Sequence, residues 1–148
     1  MYIKFITSNL IEITNKQKNM TRKERASLLK PKLPKKYSET FYNYMQYAIA
    51  ASEPNDKSFK QIISWGEFLW NIGVSEDFPE HPYSKEYTLL FPIFKATFHD
   101  QKLLIELQER KRRFFKNASF FVTIDNATLH DDGKMVITIT ARECYAQE

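Results

Sequence analysis

Glycine is scarce in this chain, and the scarcity restricts what the chain can fold into. The 148 residues contain three glycines, at Gly66, Gly73 and Gly133, whereas aromatic residues make up 15%. Glycine permits the tight turns and left-handed backbone on which phosphate-binding loops depend. We therefore expect helices joined by few tight turns and no Gly-rich nucleotide loop. The length fits one domain with its own core, and we predict a single domain over residues 1–148.

The first 118 residues have mostly the pattern of amphipathic helices. A short basic helix is predicted from Thr21, and the prolines of "KPKLPKKY" end it. The next helix, capped by Ser38, has an apolar stripe formed by Phe41, Met45, Ala48 and Ile49. The remaining predicted boundaries are a helix from an Asp56 cap to Gly73, a helical turn or two in "SKEYTLLF", and a helix from Pro92 to about Phe115.

The two ends of the chain differ from this helical part. Residues 119–148 are rich in Val, Ile, Thr and Phe, and Asp132-Gly133 predicts a type I′ hairpin turn, with a bulge at "DNAT". The start, "YIKFITSNLIEIT", fits both helical and strand spacing, and we favour a helix. The predicted fold class is mainly α, a compact helical bundle with a C-terminal β-hairpin. It becomes α+β if residues 2–14 form a strand.

Charge is segregated along the chain, although the net charge is only +4. Residues 1–36 carry +8, residues 37–100 carry −5, residues 101–118 carry +4 and residues 119–148 carry −3. Blocks of this size indicate a polarised surface. Such a molecule can present its basic face to a polyanion, or it can pair with an oppositely charged neighbour.

The stretch "QERKRRFFKN" is the densest cationic run in the second half of the chain. Glu106 precedes Arg110 by four residues, and Glu109 precedes Arg113 by four, so a solvated helix end with surface ion pairs explains these two arginines. Three further cations point towards the arc that upstream residues use for the core, and they suggest phosphate contacts: Lys111, Arg112 and Lys116. Phe114 and Phe115 beside them are either core residues or stacking surfaces for unpaired bases.

A second basic cluster lies nearer the N-terminus. Seven lysines and arginines fall between residues 22 and 36, with Glu24 as the only acid. Few local ion pairs can neutralise them, and a polyanion would relieve their repulsion. The predicted phosphate contacts in this cluster are Arg22, Lys23, Arg25, Lys32, Lys35 and Lys36.

Catalytic and metal-binding patterns are weak. His99-Asp100 has no second histidine at ligand spacing, and His81 and His130 fall in loop or turn sequences. Cys144 is the single cysteine, so it excludes an internal disulfide and the common zinc spacings. We predict no metal, no cofactor and no enzymatic activity. We also expect a cytoplasmic protein without membrane contact, because no signal peptide or long apolar run is present.

The leading functional prediction is a basic accessory subunit that contacts the backbone of RNA or DNA within a larger complex. Its role would be comparable to that of the small helical subunits of multi-subunit CRISPR effector complexes. The comparison rests on size, helicity and charge, and no sequence motif is shared. The alternative is a protein–protein interaction module, such as a phage or plasmid regulator that docks on a host complex. Trp65 and Trp70 are the docking candidates for this alternative, because aromatic residues are enriched at interfaces.

Overall fold

The computed structural model describes residues 2–13 and 37–147. In chain order its elements are β1 (Tyr2–Ile13), α1 (Tyr37–Ala51), α2 (Asp56–Asp77), α3 (Pro82–Thr97), α4 (Gln101–Phe114), β2 (Phe120–Leu129) and β3 (Met135–Gln147). The mainly helical fold with a C-terminal β-hairpin is confirmed, and the strand over residues 2–13 meets the condition given above for the α+β alternative.

Three strands form one antiparallel sheet in the order β1-β3-β2. The preferred helix at the N-terminus is wrong, since residues 2–13 form a strand that pairs with β3, from Ile13 opposite Met135 to Tyr2 opposite Gln147. The spacing of apolar residues in this segment fits both a helix and a strand. Pairing with β3 favours the strand, because β3 supplies hydrogen-bond partners to the β1 backbone. The predicted bulge is confirmed between Ile124 and Asn126.

The hairpin turn differs from the predicted type I′ turn. Gly133, with φ 92°, is the only residue with a positive φ in the described parts of the chain, whereas type I′ needs two. The Gly133 N–H donates to the His130 carbonyl at 2.9 Å, and the His130 N–H donates to the Lys134 carbonyl at 2.8 Å. These bonds enclose a three-residue loop, with Gly133 in the left-handed position that such loops require.

The boundaries of α2 also differ from those predicted. Asn55 is the N-cap, since its side chain accepts from the Ser58 N–H, and Asp56 instead accepts from the Leu129 N–H at 2.8 Å. The helix continues past Gly73 to Asp77. A Cβ at Gly73 would lie 2.3 Å from Cγ of Lys111, so this glycine permits close packing of α4 and does not end a helix.

The predicted helix from Pro92 to Phe115 is in fact two helices. Pro82 lies in the first turn of α3, which runs through Pro92 to Thr97. Asp100 then caps α4 by accepting from the Leu103 N–H at 3.0 Å. Phe98 lies between the two helices and is buried against Trp65, with ring centroids 4.3 Å apart. The backbone of Phe98 is extended, with φ −79° and ψ 120°, so α3 ends here while the ring stays buried.

One side of α2 covers the outer edge of β2. The Asn71 carboxamide donates to the Val122 carbonyl and accepts from the Val122 N–H, both at 2.9 Å, as a neighbouring strand would. The Trp70 indole N–H donates to the Phe120 carbonyl at 2.8 Å. Edge strands expose unpaired backbone groups, and these side chains satisfy them. Further contacts of this kind come from Asp56, Lys60 and Glu67.

The core lies between the helices and the inward face of the hairpin. Trp70 is fully buried, and its ring contacts those of Tyr44 and Phe115 at 5.0 and 5.8 Å. The predicted stripe on α1 is buried, as expected. On β3, Ile137 and Ile139 lie two residues apart on the same inward face, and neither has exposed surface. No helix within residues 2–13 and 37–147 combines the length and the apolar content that crossing a bilayer requires.

Candidate functional site

The basic run at the end of α4 divides into buried and exposed side chains. Arg110, predicted to be a solvated surface cation, is only 9% exposed. Its guanidinium donates to the backbone carbonyls of Asn43 at 2.9 Å and of Tyr44 at 3.2 Å. These carbonyls belong to α1, so Arg110 fastens α4 to α1. Burial lowers the pKa of Arg110 from its usual value.

Lys111, a predicted phosphate contact, lies inside the protein. It is 1% exposed, and its ammonium donates to the Phe115 carbonyl at 2.9 Å and lies 4.9 Å from the centre of the Trp70 ring. Burial lowers the pKa of Lys111 to about 8, partly offset by Asp77 and other nearby negative groups. A buried ammonium cannot reach a phosphate backbone, and Lys111 therefore leaves the set of candidate contacts.

Arg112, the next predicted phosphate contact, is held by carboxylates. Its Nε and its second terminal nitrogen donate to the two oxygens of Glu76, at 3.1 and 2.8 Å. Glu109 lies 3.7 Å from the same guanidinium, and hydrogen bonding to Glu76 raises the pKa of Arg112. The pair is about half exposed, so a phosphate would have to displace Glu76 to bind Arg112.

Lys116 and Arg113 remain exposed at this end of α4. Together with Gly73, Glu76 and Asp77, the side chains of Lys111, Arg112 and Lys116 line a cleft of about 230 Å³. Its wall contains both carboxylates and cations. The cleft is thus electrostatically mixed and lacks the uniform positive potential that tracks a nucleic-acid backbone.

The predicted stacking and docking aromatics are mostly in the core. Trp70 is 0% exposed and Phe115 is 4% exposed, and Trp65 is half-buried against Phe98. Phe114 is 52% exposed, with the guanidinium carbon of Arg113 5.8 Å from its ring centre. Of the four predicted aromatics, only Phe114 therefore offers a largely open ring.

The predicted contacts nearer the N-terminus fall outside the described residues: Arg22, Lys23, Arg25, Lys32, Lys35 and Lys36. Their role stays a prediction.

Titratable groups that could support catalysis are dispersed. The described residues contain no group of three or more His, Cys, Asp or Glu side chains arranged to hold a metal ion. His81 caps α3 by accepting from the Tyr83 N–H at 3.1 Å, and burial and Arg142 lower its pKa. Cys144 is buried, which raises the pKa of its thiol to about 12.

Sequence reasoning missed the outward face of α3. The inward face packs on Phe68 through Tyr87 and Phe94, at ring distances of 5.3 and 4.2 Å. On the opposite side, Leu89 is 76% exposed and Ile93 is 65% exposed.

This outward stripe continues through two further exposed residues, Pro92 and Ala96. We call the four residues the α3 stripe: Leu89, Pro92, Ile93 and Ala96. Their spacing is i, i+3, i+4 and i+7, which places them on one side of a helix, and none carries a charge. Leu90, 43% exposed, lies beside them. The signal in the sequence was that "YTLLFPIF" is apolar all round a helix, although only one side can pack on α2.

No family model, curated protein or solved structure significantly matches this chain. Its function must therefore be inferred from its own geometry.

Proposed function

We propose that this chain is a non-enzymatic protein-interaction subunit that binds a helix of another chain on the α3 stripe. The observation that carries the proposal is the exposure of Leu89 and Ile93 on a helix whose opposite side already packs on α2. Scattered exposed apolar residues are ordinary, but contiguous apolar patches mark interaction sites.

A helix is the partner that this surface fits best. The backbone of α3 is hydrogen-bonded within its own helix, so the surface offers side chains and no free strand edge. Sixteen residues give α3 a length of about 24 Å. A partner helix with its own apolar residues at i, i+3, i+4 and i+7 can cover a stripe of this shape.

The α4 cations support a structural role better than a nucleic-acid site. Arg110 binds two α1 carbonyls, Lys111 is buried and Arg112 is paired with Glu76. Nucleic-acid contact remains a second proposal, favoured by the cationic density of residues 22–36. A cytoplasmic location is part of both proposals, and the single cysteine of the chain supports it.

The docking proposal can be tested by placing a photo-crosslinking amino acid at position 93, in the cells from which the chain comes. The matched control places it at Gln61, an exposed position on α2. We expect adducts at position 93 well above those at position 61, lost when Leu89→Asp is added. The cross-linked peptides should carry an apolar helical stripe. Equal yields at the two positions would contradict the proposal, and so would peptides without that stripe.

The nucleic-acid proposal needs a separate experiment. Binding to labelled single-stranded RNA, single-stranded DNA and duplex DNA is measured across a salt series. Neutralising Lys32, Lys35 and Lys36 together should weaken binding and make its salt dependence shallower, since fewer counterions are released. Replacing Lys111 should not change the salt slope. Absence of binding at low salt would refute this second proposal.

A further inference from the structure

We infer that His81 is a pH-sensitive cap of α3. It holds the first turn of the helix against the sheet while its imidazole is neutral, and it releases that turn when the imidazole is protonated. The inference goes beyond the proposed function, because it concerns the chain alone and needs no partner. Three observations carry it: the hydrogen bond that caps α3, the rings packed on the imidazole, and a cation beside them.

The capping hydrogen bond uses a ring nitrogen that accepts only while it is unprotonated. His81 is the N-cap of α3, with φ −67° and ψ 139°, and its Nδ1 accepts from the Tyr83 N–H at 3.1 Å. A neutral ring that accepts at Nδ1 carries its one proton at Nε2, and protonation of Nδ1 turns the acceptor into a donor. The Tyr83 N–H then loses this bond, and a positive charge appears at the helix N-terminus, where the helix dipole disfavours it.

The imidazole also joins α3 to β2. Its centre lies 4.9 Å from the centre of the Phe121 ring. Tyr83 and Tyr87 of α3 approach the same ring, at 5.4 and 6.2 Å, and Phe121 is buried. Movement of the cap therefore disturbs the packing of α3 on the sheet as well as one hydrogen bond.

Arg142 of β3 supplies the cation. Its guanidinium carbon lies 4.7 Å from the centre of the Tyr83 ring. Burial and this positive charge lower the pKa of His81. Aromatic rings attract a cation, so Tyr83 and Phe121 work in favour of the imidazolium. The direction of the pKa change means that burial and Arg142 outweigh this attraction, and the packed cap favours the neutral ring.

Other charged groups near the cap act on different partners. Glu80, the residue before the cap, lies 3.7 Å from Lys85 in the next turn, and both side chains are well exposed. Asp77, the last residue of α2, favours the charged form of Lys111. On β1, the residue opposite Arg142 in the backbone register is Lys4. Arg142 is therefore the charge through which the sheet acts on the imidazole.

The more acidic condition is the one that releases the turn. A histidine in an unfolded segment titrates near 6.5, whereas the capped His81 titrates lower. Above about pH 6.5 the imidazole is neutral in both states, and the cap is fully present. As pH falls towards the lowered pKa, the released turn binds a proton that the capped turn does not bind, so the cap is progressively lost.

Amide hydrogen exchange of the full chain at pH 7.5 and pH 5, corrected for the intrinsic rate at each pH, tests the inference. In the natural chain, protection of residues 83–87 should fall by about fivefold at pH 5 relative to α2, because loss of an N-cap changes a local equilibrium by about that factor. His81→Asn keeps a capping acceptor that does not titrate, so its protection should be the same at both pH values. His81→Ala lacks the acceptor and should show low protection at both.

Two further variants separate His81 from other titrating groups. His99→Asn removes an exposed histidine between α3 and α4, and it should leave the pH effect on residues 83–87 unchanged. Arg142→Gln removes the cation, so the pKa of His81, followed through its imidazole NMR signals, should rise. Circular dichroism at pH 7.5 verifies that each variant keeps its helical content.

Three results would overturn the inference. The first is equal protection of residues 83–87 at both pH values in the natural chain. The second is the same loss of protection in His81→Asn, which would assign the effect to another group. The third is an imidazole of His81 that titrates at or above about 6.5, the value of a free histidine. The third measurement uses the natural chain, so it decides even if a variant fails to fold.

Discussion

Replacing Lys111 by Met removes a buried ammonium while it keeps a long, flexible side chain in the space beside Gly73 and Trp70. The ammonium has one hydrogen bond to the Phe115 carbonyl and a position over the Trp70 ring. Transferring the charged ammonium from water to the protein interior costs free energy, and these two contacts offset that cost only in part. Well-packed apolar replacements of buried charges are therefore often neutral or stabilising. We expect Lys111→Met to be at least as stable as the natural chain at pH 7.

The pH dependence of this effect follows from the pKa of Lys111. Burial lowers it to about 8, whereas a lysine in an unfolded chain titrates near 10.4. Below pH 8 both states bind the proton, and the cost of the buried charge is fully present. Between pH 8 and about 10.4 the folded state has released a proton that the unfolded state still binds, so stability rises with pH. The difference in pKa corresponds to about 3 kcal/mol, of which about 1 kcal/mol is gained from pH 8 to 9.

Ionisation of Cys144 changes stability in the opposite direction over an overlapping pH range. Its pKa is raised to about 12, so an unfolded chain ionises this thiol first and stability falls as pH rises above about 8.5. The informative quantity is therefore the difference in unfolding free energy between Lys111→Met and the natural chain, in which the thiol contribution cancels. We expect the advantage of the variant to shrink by about 1 kcal/mol between pH 8 and 9.

Urea denaturation followed by tryptophan fluorescence at pH 7, 8 and 9 measures this difference. Lys116→Met, at an exposed position close by in the sequence, removes the same charge without emptying a buried site. A stability difference that is constant with pH for Lys111→Met would refute the reasoning. So would a change with pH of the same size in both variants.

Three further substitutions test the packing. Arg110→Met removes two hydrogen bonds from a buried guanidinium to α1 carbonyls that also accept within their own helix, and it should cost about 1–3 kcal/mol in urea denaturation. Arg113→Met, exposed on the same helix, should cost less than about 0.5 kcal/mol. Gly73→Ala brings a Cβ against Lys111 and should cost about 1–3 kcal/mol; a compensating Lys111→Ala that fails to recover any of this would contradict the close-packing account. Asn71→Ala removes both hydrogen bonds to the β2 edge and should cost about 2–4 kcal/mol, with faster amide hydrogen exchange in β2; unchanged exchange there would contradict edge covering by α2.

Local sequence patterns were sufficient to predict the elements whose pattern fits only one type of secondary structure. The alternating Val, Ile and Thr residues around Gly133 specify a hairpin, and the stripe from Phe41 to Ile49 specifies a helix with one buried side. These patterns depend on neighbours within a few residues, so they are readable without the rest of the chain. The predicted type I′ turn was wrong because the dipeptide Asp132-Gly133 also fits a three-residue loop with Gly133 in the left-handed position. The choice between the two loops goes with the strand register, which depends on pairing along both strands and not on the dipeptide alone.

The candidate site depended on contacts between distant residues. Residues 2–13 became a strand because β3 pairs with them, and Lys111 became a core residue because Gly73 on α2 leaves room for its stem. The α3 sequence is apolar on both sides, and only the position of α2 decides that Phe94 packs inward while Ile93 stays exposed. Sequence determined which segments could be helices or strands, because that choice follows from local periodicity. Tertiary structure decided which charges are neutralised and which apolar face remains open, because burial depends on what the rest of the chain places opposite each side chain.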